Sequence, residues 1–259
     1  MDLGISGRRA IVCASSRGLG RACALALAAE GVAVTVSGRD AAAVAATTVE
    51  VNALGQGAAV PVVADVNTAE GRRALLAAMP DPDILITNTG GPPLGDFRDW
   101  DEGVWQRALN DLMVSPILLL RAVIDGMQAR RFGRVVAVTS VAVKMPAPDR
   151  GLTNGPKSGL SGFLAGLSRS VAKDNVTINM LLPGFFATQR GNEAIDQRAE
   201  RAGEDKAVFR QRMMAGVPAG RLGDPAEFGA ACAFLCAERS GFMTGQSIVL
   251  DGGRFPGNQ

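Results

Sequence analysis

Seven short runs of apolar and β-branched residues alternate with longer stretches of helical periodicity, and this alternation is the strongest constraint on the fold. The runs are almost continuously apolar, which is typical of strands that are covered on both faces. Parallel strands joined by right-handed helical crossovers meet that requirement. The sequence therefore predicts an α/β fold, a doubly wound seven-stranded parallel sheet with helices on both faces.

The predicted strands span 10–13, 32–36, 60–63, 84–86, 134–138, 176–182 and 247–250. The predicted helices span 19–30, 41–54, 70–79, 104–130, 157–172 and 225–237. Segment 189–216 is polar and charged and interrupts the alternation where such a fold can carry a lid over its binding crevice. We expect one dinucleotide-binding catalytic domain over 1–259 with a lid at 189–216, the alternative for that segment being a pair of solvated surface helices.

Two residue types, His and Tyr, are absent from all 259 residues. The chain therefore has no Ser-His-Asp triad, no His-ligated zinc and no Tyr general acid, and we expect no metal site. Lys and Arg number 27 against 25 Asp and Glu, a balance that argues against a nucleic-acid partner. The four cysteines lack C-x-x-C spacing, which favours reduced thiols in the cytoplasm. No signal peptide is indicated, and charged residues or proline interrupt the apolar runs, so no membrane partner is expected.

A glycine-rich turn, residues 13–20 with the sequence CASSRGLG, joins the first predicted strand to the first helix. Glycines allow the backbone to approach a pyrophosphate, and the N–H groups and dipole of the helix N-terminus favour its negative charge. The turn stands at the first strand–helix junction of a doubly wound pattern. It therefore predicts dinucleotide binding on a Rossmann-type fold.

Several segments, in the same order along the chain, resemble the short-chain dehydrogenase/reductase family. Residues 13–20 resemble its T-G-x-x-x-G-x-G turn, 65–66 its D-V pair, 87–90 its N-N-A-G segment and 183–188 its P-G-x-x-x-T segment. Residues 220–225 and 251–253 also resemble the 3-oxoacyl-carrier-protein-reductase-like branch. The resemblance implies that the cofactor is bound by Ser15, Ser16, Arg17, Gly18, Leu19, Gly20, Arg39, Asp65, Val66, Asn88, Thr89, Gly90, Lys157, Pro183, Gly184, Phe186 and Thr188.

The charges near the second strand favour NADP(H) over NAD(H). That strand leads to Gly38 and Arg39 with no acid before Asp40, whereas NAD-preferring sites place an acid there for the ribose hydroxyls. Arg17 and Arg39 would form a two-guanidinium clamp for a 2′-phosphate, the alternative being two solvated surface arginines. Ala14 stands where the family has the first glycine of the turn, and its methyl group is tolerated if the residue keeps a negative φ.

The resemblance implies a catalytic set of Asn, Ser, Tyr and Lys. Asn110, Ser140 and Lys157 match three of these positions, but Thr153 stands where the family has the tyrosine that exchanges a proton with the substrate oxygen. An aliphatic hydroxyl has far too high a pKa for that role. Because proline disrupts a helix interior, Pro156 predicts that the helix begins later than in relatives, so Lys157 either faces the site or is a solvated lysine at the helix start.

The sequence thus predicts an NADP(H)-dependent oxidoreductase that acts on a small carbonyl or alcohol with a non-standard acid–base group. Three routes are open: Lys157 as the acid–base, a proton-transfer group supplied by the substrate, or a substrate that needs only a weaker acid. The alternative is a nucleotide-binding member without dehydrogenase activity, with a regulatory or structural role. Extra apolar faces on the helices at 110–127 and 157–172 predict a homo-oligomer, a dimer or a tetramer.

Overall fold

Seven parallel strands form one sheet in the order β3-β2-β1-β4-β5-β6-β7. The computed structural model describes residues 2–257. The strands are β1 (Arg9–Val12), β2 (Ala33–Gly38), β3 (Ala59–Val63), β4 (Ile84–Thr87), β5 (Gly133–Val138), β6 (Val176–Pro183) and β7 (Ser247–Leu250). The strand order reverses between β1 and β4, and a crevice opens at the carboxyl ends of the strands at such a switch point. The predicted doubly wound parallel sheet is confirmed.

Helices cover both faces of this sheet. They are α1 (Gly18–Ala29), α2 (Ala41–Ala53), α3 (Ala69–Ala78), α4 (Glu102–Leu109), α5 (Ser115–Ala129), α6 (Gly151–Val171), α7 (Gln189–Ala202), α8 (Lys206–Ala215) and α9 (Pro225–Cys236). Apolar residues of α1, α2 and α9 pack with Ala10 and Val12 of β1. Those of α3, α5 and α6 pack with Ile11 on the opposite face. Successive strand residues point to opposite faces, so one apolar strand supplies both cores.

The predicted long helix at 104–130 is divided by a π-helical turn, Asn110–Val114. There the N–H of Ser115 donates to the carbonyl of Asn110, five residues back. Pro116 follows in the first turn of α5, where its missing N–H is tolerated. The whole stretch 102–129 is long and apolar enough by length and composition to cross a membrane. In this fold its buried residues Leu119, Leu120, Val123 and Met127 belong to the core that α5 shares with α3 and α6.

The start of α6 differs from the prediction. We expected Pro156 to delay the helix to about residue 157, but α6 begins at Gly151 and contains the proline. Proline disfavours helical conformation in the preceding residue by contact with its Cβ, and Gly155 has none. Trp100 packs directly over Gly151, where a Cβ would lie within 2.8 Å of the indole ring. Local packing therefore compensates for the lost hydrogen bond, and Lys157 lies in the second turn of the helix.

Segment 189–216 forms the helices α7 and α8, while its action as a lid remains a prediction. The two helices share a small core of their own, made by Ile195, Ala199 and Phe209. Arg190, in the first turn of α7, donates to the carbonyl oxygens of Gly91 and Pro92 at 3.2 and 3.0 Å. The segment is thereby joined to the loop after β4, across the carboxyl edge of the sheet.

Candidate active site

Two connected cavities lie at the carboxyl ends of the strands. The central cavity, of about 220 Å³, is lined by residues that follow β4, β5 and β6 and by α6. The β2 cavity, of about 490 Å³, is lined by the glycine-rich turn and by residues at the ends of β2 and β3. Gly90 and Gly91 line both cavities. Together the cavities form one elongated cleft across the switch point of the sheet, where α/β folds of this kind bind nucleotides.

Lys157 is buried at the wall of the central cavity, with 5% of its surface exposed. Its Nζ donates to the backbone carbonyl of Val138, the last residue of β5, at 2.8 Å. Burial lowers the pKa of this lysine to about 8, because desolvation disfavours the ammonium form. The sequence left two alternatives for Lys157, a side chain that faces the site or a solvated lysine at the helix start. In the structure the Lys157 side chain faces the central cavity.

Ser140 and Thr153 line the same cavity as Lys157. Ser140 follows β5, and its Oγ accepts a hydrogen bond from the N–H of Ala142 at 3.1 Å, which leaves the hydroxyl hydrogen able to donate elsewhere. Thr153 precedes Lys157 by four residues, so both side chains lie on one face of α6. The threonine hydroxyl has no hydrogen bond within the part of the chain that the structure describes. Three of the four predicted catalytic residues therefore meet in one cavity.

Asn110, the fourth predicted catalytic residue, lies apart from the lining of the central cavity. It opens the π-helical turn between α4 and α5. Its Nδ2 donates to the carbonyl of Asn67 at 3.1 Å and to the Asp111 carboxylate at 2.9 Å. Both side-chain N–H groups are therefore bound to protein. These contacts connect the start of the turn to the segment after β3.

The glycine-rich turn leads directly into the start of α1 at Gly18. Arg17 is the N-cap residue and its side chain makes no capping hydrogen bond, so the first N–H groups of α1 point toward the cleft without a side-chain acceptor. Gly20 lies against the turn, where a Cβ would be 2.2 Å from the carbonyl oxygen of Ala14. Only glycine fits this close approach.

Two residues of the turn differ from expectation. Ala14 has φ of 47°, so the condition of a negative φ is not met and the residue adopts the left-handed conformation that glycine tolerates best. Ser15 was expected to bind cofactor, but its side chain is fully buried. Its Oγ bonds the carbonyls of Val12 and Thr35 at 2.7 and 3.2 Å, which fixes the turn to β1 and β2.

Arg17 and Arg39 both line the β2 cavity. Their side chains are 62% and 79% exposed. Arg17 forms an ion pair with Asp40, and Arg39 lies 3.9 Å from the carboxylate of Asp65. Exposed pairs of this kind contribute little free energy, so a phosphate can compete for these guanidinium groups at small cost.

Two observations indicate that the cleft fits a dinucleotide. Among residues 2–257, Thr89 Oγ1 and Asn67 Oδ1 are buried without a hydrogen-bond partner, which is costly unless a ligand supplies one. A Cβ on Gly90 would project into open space at the junction of the two cavities. The predicted cofactor residues that line the cleft are Ser16, Arg17, Leu19, Arg39, Asp65, Val66, Asn88, Thr89, Gly90, Lys157, Pro183, Gly184, Phe186 and Thr188. Ser15, Gly18 and Gly20 shape the turn from outside that lining.

A family model of short-chain dehydrogenases, described as enoyl-(acyl-carrier-protein) reductase, matches residues 13–254. The chain belongs to the short-chain dehydrogenase/reductase family. The resemblance that the motifs indicated is thereby confirmed at the level of the family, which is a family of oxidoreductases.

Known members of the short-chain dehydrogenase/reductase family match this chain along almost its whole length. The 3-oxoacyl-(acyl-carrier-protein) reductase of Vibrio cholerae is 30% identical over 257 residues, covering 98% of this chain and 99% of that protein. The structure of L-sorbose reductase from Gluconobacter frateurii, complexed with NADPH and L-sorbose, has a TM-score of 0.92 and 27% identity and covers 99% and 100% of the two chains. A 3-oxoacyl-(acyl-carrier-protein) reductase from Agrobacterium tumefaciens with NADP bound has a TM-score of 0.86 and 28% identity, with 97% and 95% covered.

Sequence reasoning missed part of this family member's site. A third cavity of about 240 Å³, the side cavity, adjoins the central cavity at Arg150, Gly184 and Phe185. Arg198 and Arg254 line it as well. The three arginines come from distant segments and stand in no motif, so only the tertiary structure brings them together.

Proposed function

We propose that this protein is an NADP(H)-dependent oxidoreductase that interconverts a small carbonyl compound and its alcohol, with Lys157 as the acid–base group. The observation that carries the proposal is the position of Lys157 Nζ, buried at the central cavity beside Ser140 and Thr153. Of the three routes left open by the sequence, the burial of this amine favours direct proton exchange by the lysine. The family tyrosine is then replaced by the lysine that ordinarily assists it.

The pKa of Lys157, lowered to about 8 by burial, suits proton exchange near neutral pH. NADPH, when bound, supplies the hydride to the carbonyl carbon. The Lys157 ammonium gives its proton to the carbonyl oxygen as charge develops there, and the neutral amine accepts it back in alcohol oxidation. Ser140 donates a hydrogen bond to the same oxygen, since its Oγ accepts from the N–H of Ala142 and its hydroxyl hydrogen remains available. Thr153 orients the substrate or a water molecule through its hydroxyl.

NADP(H) is the proposed cofactor, with NAD(H) as the weaker alternative. Support comes from Arg17 and Arg39 at the β2 cavity and from the absence of an acid before Asp40 along β2. Two structural relatives were solved with NADPH or NADP. The end of the cleft with these two arginines would hold the 2′-phosphate.

We further propose that the protein acts in the cytoplasm as a homo-oligomer, a dimer or a tetramer. The four cysteines are unpaired and buried, as suits a reducing compartment. Large apolar side chains are exposed on or next to the helices that the sequence singled out: Leu109 directly before the π-helical turn, Val114 at its end and Phe163 on α6. A second copy of the chain would cover them.

A second candidate, a nucleotide-binding protein without dehydrogenase activity, is favoured by one observation. Thr153 occupies the wall of the central cavity where a phenol would be needed for the family's usual proton transfer. A threonine hydroxyl does not ionise near neutral pH.

Deuteride transfer separates the two candidates. NADPH deuterated at C4 of the nicotinamide is incubated with the protein and a panel of small ketones and aldehydes, and products are read by mass spectrometry. The oxidoreductase proposal expects stereospecific label in at least one alcohol with the natural chain. Binding of NADPH and NADH is followed in parallel by cofactor fluorescence. An inert natural chain that gains activity on Thr153→Tyr while binding NADPH equally would establish the second candidate instead.

A further inference from the structure

Four arginines lie close together beside the central cavity. Arg150 precedes α6, Arg190 and Arg198 belong to α7, and Arg254 follows β7. The pKa of Arg150 is lowered to about 10, first by burial and then by the charges of the other three arginines. The acids that act on this cluster are Asp149 and Asp251. Four cations therefore face two carboxylates, an arrangement that is unfavourable without a further anion.

Both carboxylates are already engaged. Asp149 forms a two-pronged pair with Arg198, in which Nε and Nη2 each lie 3.0 Å from a carboxylate oxygen. Asp251 accepts three backbone N–H groups of the loop after β7, at 2.7 to 3.1 Å. Neither acid forms a hydrogen bond with the Arg150 guanidinium, and of the four arginines only Arg198 forms an ion pair within the part of the chain that the structure describes.

Arg150 and Arg254 are the two arginines with capacity for a ligand. Within residues 2–257 neither side chain forms a hydrogen bond or ion pair with protein. The guanidinium of Arg254 lies 4.7 Å from the ring centre of Phe185, which holds its plane at the cavity wall. Both arginines are half-buried and line the side cavity, whose remaining wall includes apolar residues such as Met145 and Pro146. A guanidinium so placed presents several donors to one small pocket.

We propose that the side cavity binds the anionic group of the substrate through Arg150 and Arg254, and that the substrate is a carbonyl compound bearing a carboxylate or a phosphate. This inference rests on the proposed function, since it assigns the second half of the same substrate. Arg150 lines both the central and the side cavity, so a molecule with its carbonyl at Lys157 reaches the arginine directly. Guanidinium groups bind both carboxylate and phosphate in forked geometry, and that chemistry is common to the two kinds of substrate.

The phosphates of the cofactor are a different source of anions, and the structure separates them. The β2 cavity, with Arg17 and Arg39, shares no lining residue with the side cavity. The Arg150 site is therefore assigned to the substrate, and loss of Arg150 should leave NADPH affinity unchanged.

Calorimetric binding to the full-length protein saturated with NADP⁺ tests the proposal. The probes are matched pairs that differ in charge: pyruvate, acetoacetate and levulinate against their methyl esters, and dihydroxyacetone phosphate against dihydroxyacetone. We expect at least one anion to bind about 10-fold or more tightly than its neutral partner. Arg150→Gln should remove that preference. Arg239→Gln, which deletes an equal charge from an exposed arginine outside the cavities, should keep it.

The outcomes separate cleanly. Equal binding of every matched pair, or an anion preference that survives in both Arg150→Gln and Arg254→Gln, overturns the inference, as does a matching loss of NADPH affinity. Preference for the phosphate or for a carboxylate identifies the anion. Anion-selective binding without deuteride transfer supports the anion site and contradicts the proposed function. Turnover of neutral ketones without anion preference supports the proposed function and contradicts the anion site. Thermal unfolding of Arg150→Gln should show no destabilisation, because the substitution relieves repulsion between the arginines. If Arg150→Gln is destabilised, Arg254→Gln is the second variant for the binding test.

Discussion

The cations at the two ends of the cleft lie in opposite surroundings. At the β2 cavity, Arg17 and Arg39 are largely exposed and each has a carboxylate neighbour. At the central and side cavities, Lys157 is buried and Arg150 is half-buried, and no carboxylate forms a hydrogen bond or ion pair with either side chain within the described residues. Burial lowers the pKa of both Lys157 and Arg150, because desolvation disfavours their charged forms.

This difference has consequences for what each end can do. Exposed cations attract a phosphate through a field that salt screens over about 8 Å at physiological ionic strength, so they suit selection between related cofactors. Buried cations interact more strongly with whatever charge enters, because little water competes. The buried end therefore suits proton exchange and the orientation of a charged substrate. The three substitutions below act on one end at a time.

Replacement of Lys157 should have the largest effect. Lys157→Met keeps much of the side-chain volume but removes the proton-exchanging amine and its bond to the Val138 carbonyl. We expect the rate of carbonyl reduction to fall by roughly 10²- to 10⁴-fold, the usual contribution of a general acid. The measurement is kcat with saturating NADPH, together with NADPH affinity by fluorescence. A fall in affinity that accounted for the whole loss would make Lys157 a cofactor ligand only.

The pH profile gives the same test on the natural chain. Reduction needs the protonated lysine, and the pKa of about 8 means that the ammonium form is lost as pH rises through that value. The rate of reduction should therefore decline above about pH 8, and the rate of alcohol oxidation should rise over the same range. A reduction rate that stays constant up to pH 10 would contradict the role of Lys157 as the acid–base group. It would also remove proton exchange as a difference between the two ends of the cleft.

Loss of the exposed arginines should have an intermediate effect. We expect the double substitution Arg17→Gln and Arg39→Gln to weaken NADPH binding by about 30-fold. This corresponds to a loss of roughly 2 kcal/mol of binding free energy for the two exposed arginines together. NADH binding should be unchanged because NADH lacks the 2′-phosphate. The matched control is Arg98→Gln, another exposed arginine in an ion pair but outside the cleft. Equal loss for both cofactors would show that the pair does not read the 2′-phosphate.

Salt sharpens this comparison. The affinity for NADPH over NADH should decrease as salt rises, because both arginines are solvent-exposed. The anion preference that Arg150 confers should fall less steeply over the same series. Parallel salt dependence at the two ends would contradict the distinction that burial implies.

The same contrast explains what sequence alone could predict. The β-branched runs located all seven strands to within one or two residues, since a strand buried on both faces must be apolar throughout. Several residues that line the β2 cavity, among them Arg17, Asp65 and Val66, lie in local sequence motifs and were named from those motifs. Arg150, Arg198 and Arg254 converge from loops and helices far apart in the chain, and no spacing marks them. The local rule for Pro156 failed because Gly155 and the packing of Trp100 on α6 outweighed it.

Ala14 offers the smallest and most local test, because it changes the backbone at the exposed end and leaves every charge in place. Its φ of 47° forces a methyl group into the left-handed region, and Asn88 holds the residue there by donating to its carbonyl at 3.3 Å. We expect Ala14→Gly to raise the free energy of unfolding by about 1 kcal/mol, measured by urea denaturation. The control, Ala46→Gly on the exposed face of α2, should lower it by about 1 kcal/mol. If both substitutions destabilise the fold equally, the turn is unstrained. If Ala14→Gly stabilises the fold while the preference for NADPH over NADH is retained, that preference comes from the arginines and not from the shape of the turn.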